Sequence, residues 1–107
     1  MGNDAGRDVG LEIASAISAN KVVLFMKGNP QFPQCGFSAS AVKMLSDVGI
    51  NDFAFVNVLE DQAIREGIKV YSSWPTIPQL YVNQEFVGGA DIIGEMHQSG
   101  ELARLLE

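Results

Sequence analysis

Residues 21–27 have the sequence KVVLFMK, in which five consecutive apolar residues stand between two lysines. A continuous apolar run of this length is typical of a β-strand that is buried on both faces of a sheet. Gly28, Asn29 and Pro30 follow at once and end the strand. The segment up to Gln34 holds two prolines and is predicted to be a loop. We therefore expect a buried strand here, with an irregular loop at its carboxyl end.

Helical and extended patterns alternate on either side of this strand. Before it, Val9, Ile13 and Ile17 recur at four-residue spacing, which predicts a helix that ends at Asn20. After it, the patterns predict a helix with Phe37, Ala41, Leu45 and Val48, closed by Gly49, a strand over residues 53–58, and a helix capped by Asp61 with Ile64, Ile68 and Tyr71. A loop over residues 72–78, strands over 79–82 and 85–87, a turn at Gly88 and Gly89, and one or two helices over 91–99 and 101–106 complete the chain.

The order α-β-α-β-α-β-β-α predicts an α/β fold. A strand–helix–strand unit followed by a hairpin implies a mixed four-stranded sheet with helices on both faces. The length of 107 residues corresponds to one domain over residues 1–107, because domains commonly hold about 100–200 residues. Residues 1–8 are mostly small and polar, and we expect them to be frayed.

Composition excludes several classes of function. The net charge of −6 argues against general nucleic-acid binding, and the longest apolar run is far shorter than the ~20 residues of a membrane span. The chain has one cysteine and one histidine, too few for a zinc or iron–sulfur site with four ligands from one chain. A single thiol fits a reducing compartment.

Cys35 lies between the predicted loop and the start of the second predicted helix. The first N–H groups of a helix lack helical partners and favour a thiolate over a thiol. Residues 28–42 contain no charged side chain and are flanked by Lys27 and Lys43, so the nearest charges in sequence are positive. A lone cysteine is more often a buried structural residue. The proline-rich loop before Cys35 and the small Gly36 after it favour a reactive thiolate instead.

The sequence of residues 35–38, CGFS, limits the chemistry of this thiolate. Dithiol oxidoreductases have a second cysteine at the position of Ser38, and a hydroxyl does not resolve a mixed disulfide. Two routes remain open: a one-thiol reaction that an external thiol resolves, and metal ligation. Any cluster must take further ligands from another chain or from a small molecule.

Four separated blocks of the sequence resemble the monothiol glutaredoxins of the CGFS class, in the thioredoxin-like superfamily. The blocks are residues 26–28 (MKG), 33–38 (PQCGFS), 74–79 (WPTIPQ) and 88–91 (GGAD), and the resemblance extends over roughly residues 12–106. It implies the sheet order 2-1-3-4 and a cis peptide bond between Ile77 and Pro78. It also implies a glutathione groove beside Cys35, and a [2Fe-2S] cluster held between two subunits by one cysteine from each and two glutathione thiolates.

The resemblance assigns roles to individual residues. Cys35 is implied to be both the redox-active thiol and the cluster ligand. Lys27 is implied to pair with a glutathione carboxylate and to stabilise nearby thiolates. Arg65 and Lys69, four residues apart on one helix face, are implied to bind the glycyl carboxylate.

Three further residues are implied to contact the rest of the tripeptide. Ile77 offers its backbone N–H and C=O, as an added strand would. The backbone N–H of Ala90 suits the γ-glutamyl carboxylate at the start of a helix, and Asp91 suits the ammonium group. Many relatives have a cysteine at the position of Ala90, so this chain lacks the second thiol of those relatives. The hairpin pair Asn83-Gln84 replaces the more usual Asn-Gly, so its turn is expected to be strained.

Each charged residue also has an ordinary structural explanation. Lys27 is explained as a solvated lysine, Arg65 and Lys69 as an exposed helix face, and Asp91 as a carboxylate that interacts with the helix dipole. The aromatic residues Phe37 and Trp74 are expected to pack. His97 is expected at the surface or in packing, without a metal role.

Three functions follow from these observations. The first is an iron–sulfur carrier that passes [2Fe-2S] to apo-proteins as a glutathione-bridged homodimer. The second is a one-cysteine, glutathione-dependent oxidoreductase that removes glutathione from mixed disulfides, with at most weak activity. The third is a binding module for partners such as BolA-like proteins. The expected compartment is the mitochondrial matrix, after removal of a presequence, or the bacterial cytoplasm.

Overall fold

The apolar run forms β1, Val22–Met26, and all five of its residues are buried. The computed structural model, which describes residues 6–107, shows a four-stranded sheet of order β2-β1-β3-β4. β1 pairs in parallel with β2, Ala54–Asn57, and antiparallel with β3, Gln79–Val82. β3 pairs antiparallel with β4, Glu85–Gly88. The predicted mixed sheet, its order and the central position of the apolar strand are confirmed.

The helices surround this sheet in the predicted order. They are α1 Val9–Ala19, α2 Gly36–Asp47, α3 Gln62–Ser72, α4 Ala90–Ser99 and α5 Glu101–Leu105. A short 3-10 helix over Val58–Glu60 was not predicted, and it ends β2 one residue earlier than expected. Its cause is local, because the Asn57 side chain accepts a hydrogen bond from the Leu59 N–H at 3.0 Å. No helix within residues 6–107 is long and apolar enough to cross a membrane.

Two apolar cores form because successive side chains of β1 point to opposite faces. Leu24 and Met26 pack with α2, α4 and α5 on one face. Val23 and Phe25 pack with α1 and α3 on the other. The two cores therefore fix the carboxyl end of β1, which is followed by Lys27 and the loop that leads to α2.

The loop between β1 and α2 turns back on the strand end. Gly28 has φ +93°, and a Cβ at this position would lie 2.5 Å from the Phe32 carbonyl oxygen. The Gln34 N–H donates to the Lys27 carbonyl at 2.8 Å, and the Gly28 N–H donates to Asn57 Oδ1 at 2.9 Å. These contacts hold the loop so that Cys35 follows directly beside Lys27.

The expectation that residues 1–8 are frayed is wrong for Arg7 and Asp8. Residues 1–5 lie outside the described part of the chain. Asp8 Oδ1 accepts a hydrogen bond from the Leu11 N–H at 3.0 Å and caps α1. Arg7 forms ion pairs with Glu12 at 2.9 Å and with Asp61 at 2.8 Å. The partner Asp61 lies at the start of α3, far along the sequence, so the pattern near the amino terminus did not reveal it.

The hairpin between β3 and β4 has the expected strain. Asn83 and Gln84 have φ values of 50° and 69°, in the left-handed region. A non-glycine residue is disfavoured there, because its Cβ approaches the following carbonyl oxygen. The turn lies at the opposite end of β3 from the loop over residues 73–78.

Candidate functional site

One groove of about 400 Å³ brings together all seven residues singled out from the sequence. Its lining comprises Lys27, Cys35, Phe37, Arg65, Lys69, residues 74–78, Gly89, Ala90, Asp91 and Ile92. These residues come from the end of β1, the first turns of α2 and α4, one face of α3, and the loop before β3. Residues that are distant in sequence thus form one concave surface next to the only cysteine.

Cys35 lies half-buried in this groove as the N-cap residue of α2. Burial alone raises the pKa of its thiol. The backbone N–H groups of Ser38 and Phe37, the Ser38 hydroxyl and the positive charge of Lys27 outweigh burial, so the pKa of Cys35 lies below its ordinary value. The thiolate is therefore more accessible than in an ordinary cysteine, in the direction that the sequence predicted, and the sulfur is reachable from the groove.

Ser38 connects the thiol to the end of β1. It is fully buried, and its Oγ accepts a hydrogen bond from the Lys27 backbone N–H at 3.0 Å. Because this residue is a serine and not a second cysteine, it contributes a fixed polar contact instead of a second thiol. This contact sets α2 against β1 and fixes the spacing between Cys35 and Lys27.

The groove is positively charged within a negatively charged chain. Lys27, Arg65 and Lys69 line it, against one carboxylate, Asp91. Within residues 6–107, Lys27 and Arg65 make no ion pair, whereas Lys69 Nζ lies 3.3 Å from Glu66 Oε2. Such an arrangement attracts a ligand with more than one negative group.

The loop over residues 74–78 forms one wall of the groove. The Ile77–Pro78 peptide bond is cis, as predicted. The Ile77 side chain is only 8% exposed and belongs to the core between the sheet and α1 and α3. Its backbone N–H and C=O make no hydrogen bond with any residue between 6 and 107. An extended peptide therefore finds an unused donor and acceptor at this edge.

The start of α4 forms the opposite wall. Its N-cap is Gly89, where a Cβ would lie 3.3 Å from both the Pro78 carbonyl oxygen and Trp74 Nε1. Only glycine lets the two walls approach this closely without displacement. Ala90 is half-buried, and Asp91 is exposed in the first turn. The first-turn N–H groups of α4 are therefore placed to donate hydrogen bonds to an anion.

Comparison with known proteins identifies the family. The glutaredoxin family model matches residues 22–87, which is more than half of the chain. A relative named "Monothiol glutaredoxin-5, mitochondrial" from Lachancea kluyveri is 62% identical over 97 residues, which cover 89% of this chain and 68% of the relative. The chain belongs to the monothiol glutaredoxins.

Two further relatives extend this glutaredoxin likeness. A monothiol glutaredoxin ycf64-like protein from Synechocystis is 56% identical over 95 residues, which cover 89% of this chain and 88% of the relative. The solution structure of reduced poplar apo GrxS14 superposes with a TM-score of 0.80 at 45% identity, covering 96% of this chain and 94% of that one. The thioredoxin-like fold predicted from the sequence is confirmed.

One of the two aromatic residues of this glutaredoxin that were expected to pack does not do so. Phe37 is 64% exposed in the groove instead of packed. Its four-residue spacing from Ala41 indicated a buried face, but the first turn of α2 lies at the groove, where no element within residues 6–107 covers it. Trp74 packs on Phe86 at 5.9 Å between ring centroids, yet it is also 39% exposed.

His97 lies outside the groove lining. Its Nε2 is 3.3 Å from Asp47 Oδ2, which joins α4 to α2. The histidine thus has a packing and pairing role, as expected.

Proposed function

We propose that this glutaredoxin binds glutathione in the groove and, with it, carries a [2Fe-2S] cluster between two copies of the chain. The observation that supports the proposal is the convergence of Lys27, Arg65, Lys69, Ala90 and Asp91 around one half-buried cysteine whose pKa is lowered. The remaining predicted residue, Ile77, adds an unused backbone donor and acceptor to the same groove.

The charges of glutathione match those of the groove. The tripeptide has two carboxylates, one ammonium group and one thiol. We assign its glycyl carboxylate to Arg65 and Lys69, which line the same side of the groove from α3. Lys27, at the end of β1, pairs with a glutathione carboxylate and stabilises nearby thiolates.

The other end of the tripeptide fits the start of α4. The Ala90 N–H donates to the γ-glutamyl carboxylate, where the helix dipole favours negative charge. Asp91 pairs with the ammonium group. The backbone of Ile77 pairs with the cysteinyl residue of glutathione like a neighbouring strand, which directs the glutathione sulfur towards Cys35.

Cluster carriage follows from the shortage of ligands in one chain. Cys35 supplies one thiolate, and a bound glutathione supplies a second. Two chains with two glutathiones supply the four thiolates that a [2Fe-2S] cluster requires. Because glutathione is held without a covalent bond, ligand exchange releases the cluster to thiolates of an apo-protein.

Anaerobic reconstitution tests this proposal. The protein is mixed with ferrous iron and a sulfide source, with and without glutathione, and then examined by visible absorption, iron and sulfide analysis, and size-exclusion chromatography. We expect a coloured dimer with one cluster per two chains only when glutathione is present. A colourless monomer in both samples contradicts the proposal, and equal colour without glutathione contradicts the ligand set.

A second function, glutathione-dependent reduction, is favoured by the lowered pKa of Cys35. The Cys35 thiolate attacks the glutathione sulfur of a mixed disulfide, and the other sulfur leaves as a thiolate. A second glutathione thiolate then attacks the Cys35–glutathione disulfide, which releases oxidised glutathione and regenerates the Cys35 thiolate. A coupled glutathione reductase assay with a small mixed disulfide measures this activity. We expect slow turnover, and rapid turnover that is lost in Cys35→Ser favours the enzyme function over carriage.

Partners and compartment complete the proposal. Phe32 and Phe37 are 71% and 64% exposed around the cysteine loop, and such exposed aromatics favour contact with another protein. The partners proposed are a second copy of the chain, apo iron–sulfur proteins, and BolA-like proteins. The compartment proposed is the mitochondrial matrix or the bacterial cytoplasm. Binding of a BolA-like protein that is unchanged in Cys35→Ser indicates a partner surface independent of the cluster.

A further inference from the structure

A buried polar pair lies directly behind the loop over residues 74–78. Gln79 is fully buried and Tyr81 is 2% exposed, although both side chains carry polar groups. The Tyr81 hydroxyl donates to Gln79 Oε1 at 3.2 Å. Gln79 Nε2 donates to the carbonyl oxygens of Trp74 at 3.2 Å and Thr76 at 3.1 Å. The buried amide is thus satisfied almost wholly by the loop that forms the groove wall.

The pattern of these hydrogen bonds determines which backbone groups the loop presents. The carbonyls of Trp74 and Thr76 are bonded inward by one amide group. The next residue, Ile77, keeps its side chain in the core, and its backbone N–H and C=O stay unbonded within the described residues 6–107. Because the Thr76 C=O and the Ile77 N–H belong to one peptide unit, Gln79 sets the orientation of the Ile77 donor directly. Its other hydrogen bond holds the Trp74–Pro75 peptide unit, which precedes it in the loop.

A second contact joins the same loop to α3. The Trp74 N–H donates to Ser72 Oγ at 3.1 Å, and Ser72 Oγ donates to the Ile68 carbonyl at 3.0 Å. Since α3 also carries Arg65 and Lys69, the loop and the cationic face of the groove are connected by short hydrogen-bonded links. Burial raises the pKa of Tyr81 to about 12, so its hydroxyl remains a donor throughout the neutral range.

We propose that Gln79 is a positioning residue for the tripeptide ligand: its buried amide, supported by Tyr81, holds the loop so that the Ile77 backbone is ready to pair. This inference rests on the proposed function. In this role, the Gln79 amide raises ligand affinity by ordering the loop before the ligand binds. A loop that is already ordered loses less conformational entropy on binding.

Replacement of the amide separates this role from simple packing. Gln79→Met preserves the volume but removes every hydrogen bond to the loop. Gln79→Glu preserves the shape and exchanges the donor for a titratable group. When its carboxyl is ionised it repels the Trp74 and Thr76 carbonyls, and when it is protonated it again donates to one of them while it accepts from Tyr81. Burial raises the pKa of a carboxyl group, so protonation is accessible above the ordinary range.

Isothermal titration with S-methylglutathione measures the affinity, because this probe has no thiol to titrate. We expect Gln79→Met to bind about tenfold more weakly than the parent protein, as unsatisfied carbonyls let the loop move. We expect the affinity of Gln79→Glu, relative to the parent, to recover as the pH falls from 8 to 5.5. Tyr81→Phe, which removes the donor to Gln79 together with the hydroxyl's contact with Ser72, should weaken binding by about two- to threefold.

Gln98→Met and Gln98→Glu are the matched controls, because Gln98 is exposed on α4 and outside the groove lining. Both should bind like the parent at every pH. If the parent does not bind S-methylglutathione, the proposed glutathione function fails. If the parent binds and folded Gln79→Met and Gln79→Glu bind equally well with no relative pH dependence, the positioning role of Gln79 is wrong. If Gln79→Met does not fold, the pH profile of Gln79→Glu and the affinity of Tyr81→Phe decide the question.

Discussion

The four longer helices of this protein begin in two different ways. α1 and α3 start with aspartates, Asp8 and Asp61, whose side chains accept hydrogen bonds from first-turn N–H groups. α2 and α4 start with Cys35 and Gly89, and neither residue has a side-chain oxygen that caps its helix. The uncapped helices are the two whose first turns line the groove. N–H groups that elsewhere stabilise the fold are here left for a thiolate and a ligand.

Four cations of the molecule show a similar division, although Lys69 in the groove pairs with Glu66 at 3.3 Å. Arg7 is paired with Glu12 and Asp61, and Lys43 is paired with Asp47 at 3.0 Å. In the groove, Lys27 and Arg65 have no acidic partner among residues 6–107. Stability and binding thus use the same chemical groups in different places, and substitutions at matched positions separate the two uses.

The largest effect is expected for Cys35→Ser. Serine is a preferred N-cap residue, so the variant should keep its free energy of unfolding or gain up to about 1 kcal/mol. It removes the thiolate, so cluster colour after anaerobic reconstitution should be lost completely. Urea denaturation and visible absorption measure the two results. A variant that still gains the parent's colour contradicts the role of Cys35 as cluster ligand.

A comparison of Lys27→Gln with Lys43→Gln tests whether the unpaired cations of the groove contribute to ligand affinity. Loss of a charge-assisted hydrogen bond should weaken S-methylglutathione binding by about tenfold at Lys27. Lys43 lies outside the groove lining and already has Asp47 as its partner, so its replacement should leave the affinity unchanged. Titration calorimetry measures both variants. Equal affinities for the two would remove the distinction between groove and surface cations.

Asp8→Ala tests a capped helix that is outside the groove. Loss of the hydrogen bond from the Leu11 N–H should lower the free energy of unfolding by about 1 kcal/mol. The affinity for S-methylglutathione should stay within about twofold of the parent, because no residue of α1 lines the groove. Asp8→Asn retains a capping oxygen and serves as the control for stability. A large loss of binding in Asp8→Ala contradicts the claim that the capped helix starts serve stability and the uncapped ones serve binding.

The smallest effect concerns the pH dependence of Cys35. Only the thiolate reacts with iodoacetamide, so the rate falls as the pH decreases through the thiol pKa. Because that pKa is lowered, the parent protein should react at pH values where a free cysteine, with a pKa of about 8.5, is mostly protonated. Lys27→Gln removes one source of the lowering and should move the midpoint upwards, whereas Lys43→Gln should not. If the reaction rate of the parent protein has its pH midpoint at or above that of free cysteine, the lowered pKa of Cys35 is wrong.

Much of the fold was predictable because its signals are local or periodic. The apolar run over residues 21–27 predicted the central strand, and the capping aspartate Asp61 predicted the start of α3. The groove residues came from the resemblance, since no local pattern shows that Arg65 and Ala90 converge. Gln79 was missed as a structural residue because a polar side chain normally indicates exposure, and only its partners in the loop explain its burial. Phe37 was misassigned because helical spacing does not show where a helix extends beyond its neighbours.

Amide chemical-shift mapping shows whether glutathione binds at the backbone N–H groups of the groove. The ¹⁵N-labelled protein is titrated with glutathione, and the shifts of the Ile77, Ala90 and Asp91 amides are compared with those of Leu11 and Ala63 in the capped helices. We expect saturable shifts that are largest at the three groove amides and near zero at the two amides of the capped helices. Shifts that do not saturate, or that are as large at Leu11 and Ala63 as in the groove, would contradict this expectation.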